Sequence, residues 1–312
     1  MTESRIIYRG RFAPSPTGPL HFGSLVAATG SYLEARSRGG EWLLRMEDVD
    51  APRCSTAAAL EILRALEAFG FAWDGELIWQ SRRTQAYAAA LERLKAAGRV
   101  FPCACTRKEL ADSAIAPDGA AIYPGTCRHG LPAGRVARAW RVAVGDARVS
   151  FEDAIQGRIT SDLAGEAGDF ILLRADGLFA YQLAVVVDDA DAGITHVVRG
   201  ADLLASTARQ VFLQRCLGLP TPAYAHLPVA VNAAGEKLSK QTRAAPIDVS
   251  QPGPTLIAAL DFLGQRPPSR LAGAAVAEIW AWARENWRID RVPRGPVYCG
   301  CDNRRNLERK SQ

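Results

Sequence analysis

Long apolar runs are missing from this 312-residue sequence. The longest, around residues 183–187, is the size of a strand, whereas a membrane-spanning helix needs roughly 18 apolar residues. The first residues carry Arg5, Arg9 and Arg11 with no apolar core behind them, which argues against a signal peptide. The sequence has seven cysteines, and this odd count favours free thiols in a reducing compartment over a framework of disulfides. We therefore expect a cytoplasmic protein with no membrane partner.

Lysine is scarce, and two common nucleotide-binding fingerprints are missing. Neither GxxxxGK[ST] nor GxGxxG occurs, so the sequence has neither a P-loop nor a dinucleotide fingerprint. Only five lysines accompany 33 arginines, and two of the five, Lys237 and Lys240, stand close together. The whole net charge of +5 arises in residues 266–312, with ten basic and five acidic residues. Such a segment is either an RNA contact or a solvated tail, and charge alone favours neither.

The order of predicted elements indicates an α/β fold. Apolar spacing and glycine stops predict two strands at 5–12 and 42–46 and three helices at 22–36, 56–69 and 84–97. Alternating strands and helices predict βαβ units and a Rossmann-like, nucleotide-binding parallel sheet. Further strands are predicted at 171–174, 180–187, 195–198 and 227–231, with helices at 206–217, 255–263 and 271–287.

This pattern divides the chain into four parts. Between Phe101 and Val149 periodicity fades while proline, glycine and cysteine accumulate, which is typical of an insertion. We therefore predict that residues 1–100 and 151–250 are the two halves of a catalytic domain. Residues 101–150 would be the insertion, and residues 251–312 a short helical, basic region.

The segment RFAPSPTGPLHFGS, residues 11–24, joins the first predicted strand to the first helix. Its prolines and Gly18 fix a rigid turn. The N-terminus of the following helix would then present free N–H groups at the carboxyl edge of a parallel sheet, where nucleotides dock. His21 and Gly23 lie in its first turn, and Gly23 leaves room for a base or ribose. The alternative is a proline-rich turn before an ordinary core helix.

The segment EKLSKQ, residues 236–241, follows the small residues of NAAG. Such a loop could close the ammonium groups of Lys237 and Lys240 over phosphates, since lysine is a compact charge on a flexible stem. The alternative is a charged surface loop.

Together the two segments resemble the signatures of class I aminoacyl-tRNA synthetases. HFGS is similar to their HIGH signature and KLSKQ to their KMSKS signature. RFAPSPTG, with RMEDVD at 45–50, YQLA at 181–184 and HVVRGADL at 196–203, resembles the glutamate-specific branch, in family order across residues 5–245. The resemblance implies that ATP, with Mg²⁺, activates glutamate. It assigns catalysis to His21, Gly23, Lys237 and Lys240, and ATP binding to His21, Gly23 and Lys240.

The resemblance also implies a glutamate pocket made of Arg11, Phe12, Ala13, Pro14, Ser15, Glu47, Tyr181 and Arg199. Glutamate carries an ammonium and two carboxylates, so its pocket needs an acidic contact and at least one guanidinium. Glu47 could accept from the ammonium, and either Arg199 or Arg11 could hold the side-chain carboxylate. Asp48 and Asp50 are interpreted instead as a solvated strand end that caps the next helix.

Three cysteines of the insertion, Cys103, Cys105 and Cys127, resemble a structural zinc site. Zinc chemistry alone would nominate His129 as the fourth ligand, because imidazole is a common ligand and a phenolate is not. The resemblance nominates Tyr123, because the spacing CxC…YxxxC is similar to that of glutamyl-queuosine synthetases. We therefore predict one structural zinc ion per chain, held by the three cysteines and Tyr123. The alternative is three thiols without a metal.

The length of the region after KLSKQ distinguishes related families from one another. Full glutamyl-tRNA synthetases continue into a large helical domain that reads the anticodon, whereas 71 residues follow Gln241 here. With the KLSKQ form and the Cys/Tyr spacing, this resembles the glutamyl-Q tRNA(Asp) synthetases, which attach glutamate to the queuosine base at the wobble position of tRNA(Asp). The resemblance implies a monomeric ligase with ATP, L-glutamate and queuosine-containing tRNA(Asp) as partners.

Three other functions are left open. A truncated glutamyl-tRNA synthetase would charge a tRNA 3′ end, and a nucleotidyltransferase of the same fold would lack the glutamate pocket. A non-catalytic, zinc-containing RNA-binding module would use the basic tail and no ATP.

Overall fold

The computed structural model describes residues 7–111, 113–116, 119, 121–231, 245–295 and 297–298. Lys237 and Lys240 lie outside this described part, as do Cys299 and Cys301 near the end of the sequence.

The described part alternates strands and helices through its first hundred residues and again after residue 170. The strands are β1 (Arg9–Phe12), β2 (Glu41–Met46), β3 (Ile78–Trp79), β4 (Val100–Cys103), β5 (Ala139–Val142), β6 (Arg148–Asp153), β7 (Gly157–Asp162), β8 (Ile171–Leu173), β9 (His196–Gly200), β10 (Ala223–Leu227), β11 (Ala230–Val231) and β12 (Val297–Tyr298). The helices are α1 (Phe22–Ser37), α2 (Thr56–Ala68), α3 (Thr84–Ala96), α4 (Leu163–Glu166), α5 (Tyr181–Asp191), α6 (Leu204–Leu217), α7 (Pro252–Phe262) and α8 (Val276–Asn286). Among these helices, none is both long and apolar enough to cross a bilayer.

Two groups of parallel strands make the central sheet. Strands β1, β2 and β3 pair in parallel, as do β9, β10 and β6, and β7 adds an antiparallel edge beside β6. The groups meet where β1 lies beside β9, and the amide of Thr195 donates to the carbonyl of Arg9 at 2.9 Å. The predicted Rossmann-like parallel sheet is therefore confirmed, with β7 as the antiparallel exception.

Helix α1 fixes its N-terminus at the carboxyl edge of this sheet. His21 has extended backbone angles and caps the helix, because its Nδ1 accepts from the amide of Ser24 at 3.3 Å. Residues 25–35 are nearly all buried. At Gly30 a Cβ would come within 2.6 Å of the Leu227 side chain, so glycine allows α1 to lie close against β10.

The prediction of a strand at 180–187 was wrong. The segment belongs to helix α5, and all of residues 183–187 are buried, where α5 packs against α3 and α6. A continuous apolar run does not distinguish a buried strand from a helix buried around most of its circumference. The helical form places Tyr181 in the first turn of α5 and Asp188 and Asp189 near its end.

Strands β4 and β5, at the two ends of the predicted insertion, belong to a separate sheet. Strands β4, β5 and β8 pair antiparallel in that order, so β8 does not join the central sheet, although it was expected in the second catalytic half. Phe101, Cys103, Tyr123 and Cys127 are members of a small buried cluster separate from the two larger cores. The boundaries of the four predicted parts stay predictions.

Helices α7 and α8 share the core of the first half of the chain. Trp280 packs edge-on against Tyr32 and Phe71, with ring centroids 4.9 and 5.0 Å apart. The indole of Trp287 donates to Glu34 on α1 at 2.6 Å. Helices α7 and α8 therefore pack against α1.

Candidate active site

One cleft opens at the carboxyl ends of β1, β2 and β9, beside the N-terminus of α1, with a volume of about 290 Å³. Its wall includes every described residue that was predicted for glutamate or ATP: Arg11, Phe12, Ala13, Pro14, Ser15, His21, Gly23, Glu47, Tyr181 and Arg199. The structure therefore brings these residues together from three distant stretches of the chain. Lys237 and Lys240 lie outside the described residues.

Arg11 is anchored from behind the cleft wall. Its Nε lies 3.2 and 3.4 Å from the two carboxylate oxygens of Asp189, and both side chains are buried. Asp189 also accepts from Nη1 of Arg45 at 2.7 Å. Burial alone would raise the pKa of Asp189, but the guanidiniums of Arg11 and Arg45 together lower it. An ionised carboxylate between two guanidiniums thus holds Arg11 in place.

Glu47 presents a buried carboxyl group to the same cleft. It accepts from Nη2 of Arg45 at 3.2 Å. Burial raises the pKa of Glu47, and the guanidiniums of Arg45 and Arg11 only partly offset this effect. A further cation in the cleft would favour the ionised form, which is what the ammonium of an amino acid supplies.

Asp188 continues the buried network away from the cleft. It accepts from Nε2 of Gln80 at 2.7 Å, from the hydroxyl of Tyr87 at 2.8 Å and from Nε of Arg83 at 2.5 Å. Sequence analysis missed Arg45, Asp188 and Asp189. The two aspartates directly follow an apolar run, which indicates that they are buried too. Because buried carboxylates require partners, this position could have identified them.

Arg199, on β9, is the second guanidinium of the cleft and is 5% exposed. Its Nη2 donates to Oγ1 of Thr207 and Oε1 of Gln210, both at 2.8 Å. Its Nη1 donates to the hydroxyl of Tyr181 at 3.4 Å, and its Nε to Nε2 of His226 at 3.2 Å. Thr207 and Gln210 on α6 and His226 on β10 were not predicted, because they lie on other elements than Arg199 and belong to no contiguous motif.

His21 faces the cleft from the cap of α1. Because its Nδ1 accepts from Ser24, the ring proton lies on Nε2 and can be donated to a ligand. The amide of Ile247 donates to the carbonyl of Leu20 at 3.0 Å, and Pro246 pairs with His21. The chain that follows the KLSKQ segment is therefore attached beside the HFGS segment.

The interpretation of Asp48 and Asp50 as helix caps was wrong. Ser55 caps α2 by accepting from the amide of Ala58. Asp48 instead accepts from the amide and hydroxyl of Ser81, and Asp50 bonds Arg53 and Arg174. These contacts tie the end of β2 to neighbouring loops.

The three predicted cysteine ligands converge in the small buried cluster. The sulfurs of Cys103, Cys105 and Cys127 lie within 4.8 Å of one another, and those of Cys105 and Cys127 are 3.7 Å apart. The hydroxyl of Tyr123 lies 3.6 Å from Cys103 Sγ and 3.5 Å from Cys105 Sγ. His129 is exposed and is not a member of this group. The arrangement could hold a metal ion.

The donor spacing fits a tetrahedral zinc ion. Ligand bonds of about 2.3 Å to sulfur and about 2.0 Å to oxygen imply edges of about 3.8 Å between two sulfurs and about 3.5 Å between sulfur and oxygen. The sulfurs of Cys105 and Cys127 are 3.7 Å apart, and the phenol oxygen lies 3.6 and 3.5 Å from the sulfurs of Cys103 and Cys105, which is close to these values. Nε of Arg141 donates to Cys103 Sγ at 3.3 Å, which would help to balance the charge of several thiolates.

Known proteins are similar to this chain over most of its length. The family of class I tRNA synthetase catalytic domains for glutamate and glutamine matches residues 8–253. A glutamyl-Q tRNA(Asp) synthetase from Dechloromonas aromatica is 65% identical over 289 residues, covering 92% of this chain and 96% of that protein. One from Aromatoleum aromaticum is 63% identical over 287 residues, covering 92% and 91%.

Solved structures show a similar fold. The glutamate-tRNA synthetase of Elizabethkingia anophelis superposes with a TM-score of 0.78 at 25% identity. The match covers 95% of this chain and 68% of that protein.

Proposed function

The chain belongs to the family of the glutamyl-Q tRNA(Asp) synthetases, within the class I tRNA synthetases, and we propose that glutamate is activated in its cleft. It is a ligase that forms glutamyl-adenylate from glutamate and ATP and transfers the glutamate to queuosine of tRNA(Asp). The observation that carries the proposal is the meeting of one buried carboxyl group and two anchored guanidiniums beside the N-terminus of α1.

The charges of the cleft complement those of glutamate. Glu47 accepts from the ammonium, while Arg11 and Arg199 meet the negative charge of the carboxylates. Burial raises the pKa of Tyr181, which keeps its hydroxyl protonated as a further donor. Because both arginines are held by other side chains, little ordering of them is needed when glutamate binds.

Activation depends on position and charge. The α-carboxylate attacks the α-phosphorus of ATP, and pyrophosphate leaves. His21 donates through Nε2, and the N-terminus of α1 adds its dipole, so both stabilise the charge that develops on phosphate. Gly23 leaves room for the nucleotide. Lys237 and Lys240 would close on the pyrophosphate, and Mg²⁺ bound with ATP would share its charge.

Transfer needs an acceptor hydroxyl. A ring hydroxyl of queuosine attacks the mixed anhydride of the adenylate, an ester forms and AMP leaves. The acceptor is therefore a nucleotide of the anticodon loop rather than a terminal ribose.

The structural metal of the insertion is zinc, held by Cys103, Cys105, Tyr123 and Cys127. Three donor separations close to those of a tetrahedral site support this assignment. Bound zinc would cross-link β4 to the loop that carries Tyr123 and so stabilise the insertion.

Two assays together test the function. ATP–pyrophosphate exchange measures adenylate formation and should depend on L-glutamate without added tRNA. Nuclease mapping of tRNA(Asp) labelled with radioactive glutamate should place the label on queuosine. Exchange with another acid, or no exchange, would contradict the proposal.

A further inference from the structure

Buried side chains connect Arg199 to a carboxylate that lies two strands away in the sheet. Nε of Arg199 donates to Nε2 of His226 at 3.2 Å, and Nδ1 of His226 lies 2.6 Å from Oδ2 of Asp153. Arg199 and His226 face each other in register on β9 and β10, and Asp153 ends the adjacent strand β6. The side chains of His226 and Asp153 are 0% exposed. Neither of them lines the cleft. Nε2 of His226 also lies 2.9 Å from Oγ1 of Thr207, which itself accepts from Arg199, so both contacts of this nitrogen lead to Arg199.

The hydrogen-bond directions fix the tautomer of His226. A guanidinium N–H only donates, so Nε2 of His226 must accept and the ring proton must lie on Nδ1, facing Asp153. Burial lowers the pKa of His226, with Asp153 opposing this effect and Arg199 adding to it. The ring is therefore neutral at pH 7, as the contact with Arg199 requires.

Asp153 is itself held in one orientation. Its Oδ1 accepts from the amides of Ile155 and Gln156 at 3.0 and 2.8 Å and from the amide of His226 at 3.2 Å. Its Oδ2 is thereby directed at the ring of His226. The backbone of the turn after β6 and of β10 thus sets the direction of this series of contacts.

These contacts determine which part of Arg199 is available to a ligand. Among the described residues, its four hydrogen bonds occupy four of the five N–H groups of the guanidinium. The remaining N–H is on Nη1, the nitrogen beside Tyr181, and both residues line the cleft.

We propose that Asp153 and His226 are positioning residues that orient Arg199 toward a carboxylate of glutamate. The inference rests on the proposed function of the cleft. If His226 lost its acceptor at Nε2, the guanidinium would lose one of its four contacts, the one made by Nε, and Nη1 would be held less firmly toward the substrate. Glutamate would then bind less tightly, while the ATP end of the cleft would keep its geometry.

Asp153→Asn tests this series of contacts at the end farthest from the cleft. The amide Oδ1 can still accept from the backbone, but Nδ2 donates to Nδ1 of His226 and forces the ring proton onto Nε2. That proton faces the hydroxyl of Thr207, and Nε of Arg199 loses its acceptor. In ATP–pyrophosphate exchange the KM for glutamate should rise roughly 10- to 100-fold, the range for losing a hydrogen bond to a charged group. The KM for ATP should stay within about threefold, since the defect is confined to the carboxylate contact.

Asp169→Asn is the matched control. Asp169 is equally buried and accepts from the amide of Val144 and from Arg128, but it does not line the cleft. This variant should lose stability without raising the KM for glutamate. A rise equal to that of Asp153→Asn would show a general structural effect and overturn the inference.

Two substitutions at His226 provide a second test that does not depend on Asp153. Glutamine can place a carbonyl oxygen near the position of Nε2 and restore the acceptor, whereas leucine cannot. His226→Gln should therefore keep a KM for glutamate close to that of the wild type, and His226→Leu should raise it as Asp153→Asn does. Equal KM values for the two variants would contradict the inference.

The tautomer can be measured without any substitution. ¹⁵N NMR of the histidine-labelled wild-type protein at pH 7 should show His226 as a neutral ring protonated on Nδ1. A ring protonated on Nε2, or an imidazolium, would overturn the inference.

If the wild type shows no glutamate-dependent exchange, the proposed function fails and the inference with it. If it exchanges and Asp153→Asn keeps its KM, only the inference fails.

Discussion

Asp189 of α5 and Arg45 of β2 form a buried ion pair, with Oδ1 of the aspartate 2.7 Å from Nη1 of the arginine. The pair fastens the helix that begins with Tyr181 to the strand that ends beside Glu47. Arg11 joins it from β1 through the same carboxylate. Residues that line the cleft on three elements are thus held by one carboxylate behind it.

Asp189→Asn should destabilise the protein strongly. The substitution leaves the guanidiniums of Arg45 and Arg11 with an amide in place of their shared carboxylate, and breaking a buried pair costs about 3–5 kcal/mol. Urea unfolding should show this loss in the free energy of unfolding. Asp191→Asn, which removes an exposed partner of Arg83, should change the free energy of unfolding by less than about 1 kcal/mol. Equal losses in the two variants would contradict the role given to Asp189.

The contribution of Asp189 to stability should depend on pH in one direction. Its pKa is lower in the folded protein than in an unfolded chain, where it is about 3.9. The stabilisation is therefore fully present above the unfolded pKa and is lost as the pH falls through the folded pKa. The difference in free energy of unfolding between the wild type and Asp189→Asn should stay constant from pH 7 to about 5 and narrow below about 4. If this difference in free energy of unfolding widened in acid, folding would raise the pKa of Asp189 instead of lowering it.

Metal analysis should find about one zinc ion per chain. Tyr123→Phe should weaken zinc retention during dialysis against a chelator, because it removes the oxygen that lies beside two of the sulfurs. His129→Ala should retain the metal. Loss of zinc from His129→Ala alone would reverse the ligand assignment.

Lys240→Ala and Arg199→Ala should affect different kinetic constants. An ammonium that meets the departing pyrophosphate acts mostly in the transition state, so Lys240→Ala should lower the exchange rate roughly 10²–10³-fold with little change in the KM for glutamate. Arg199→Ala removes a ground-state contact and should raise that KM. The same change in both constants for both variants would contradict this division of roles.

The sequence predicted the cleft because its main parts are contiguous. RFAPSPTGPLHFGS supplies a strand end, a turn and a helix cap in one stretch, so local rules placed it correctly. The residues of this segment assigned to glutamate, together with Glu47, Tyr181 and Arg199, came from the resemblance, and the structure places them all in the wall of one cleft.

The supporting residues could not be predicted in the same way. Asp153 and His226 are 73 positions apart in sequence, and their pairing depends on the order of β6 and β10 in the sheet. The run at 183–187 was assigned to a strand because a helix buried around most of its circumference shows no apolar period. Tertiary packing, rather than local pattern, decides both features.

The most direct measurement is the position of labelled glutamate on the tRNA. The wild-type protein, ATP and radioactive glutamate are incubated with queuosine-containing tRNA(Asp) whose 3′-terminal ribose was oxidised by periodate before queuosine was installed. The unmodified transcript and tRNA(Glu) serve as controls. We expect label on the queuosine nucleotide of the oxidised tRNA(Asp) and none on either control. Label on the terminal ribose of tRNA(Glu) would contradict the account and identify a conventional glutamyl-tRNA synthetase.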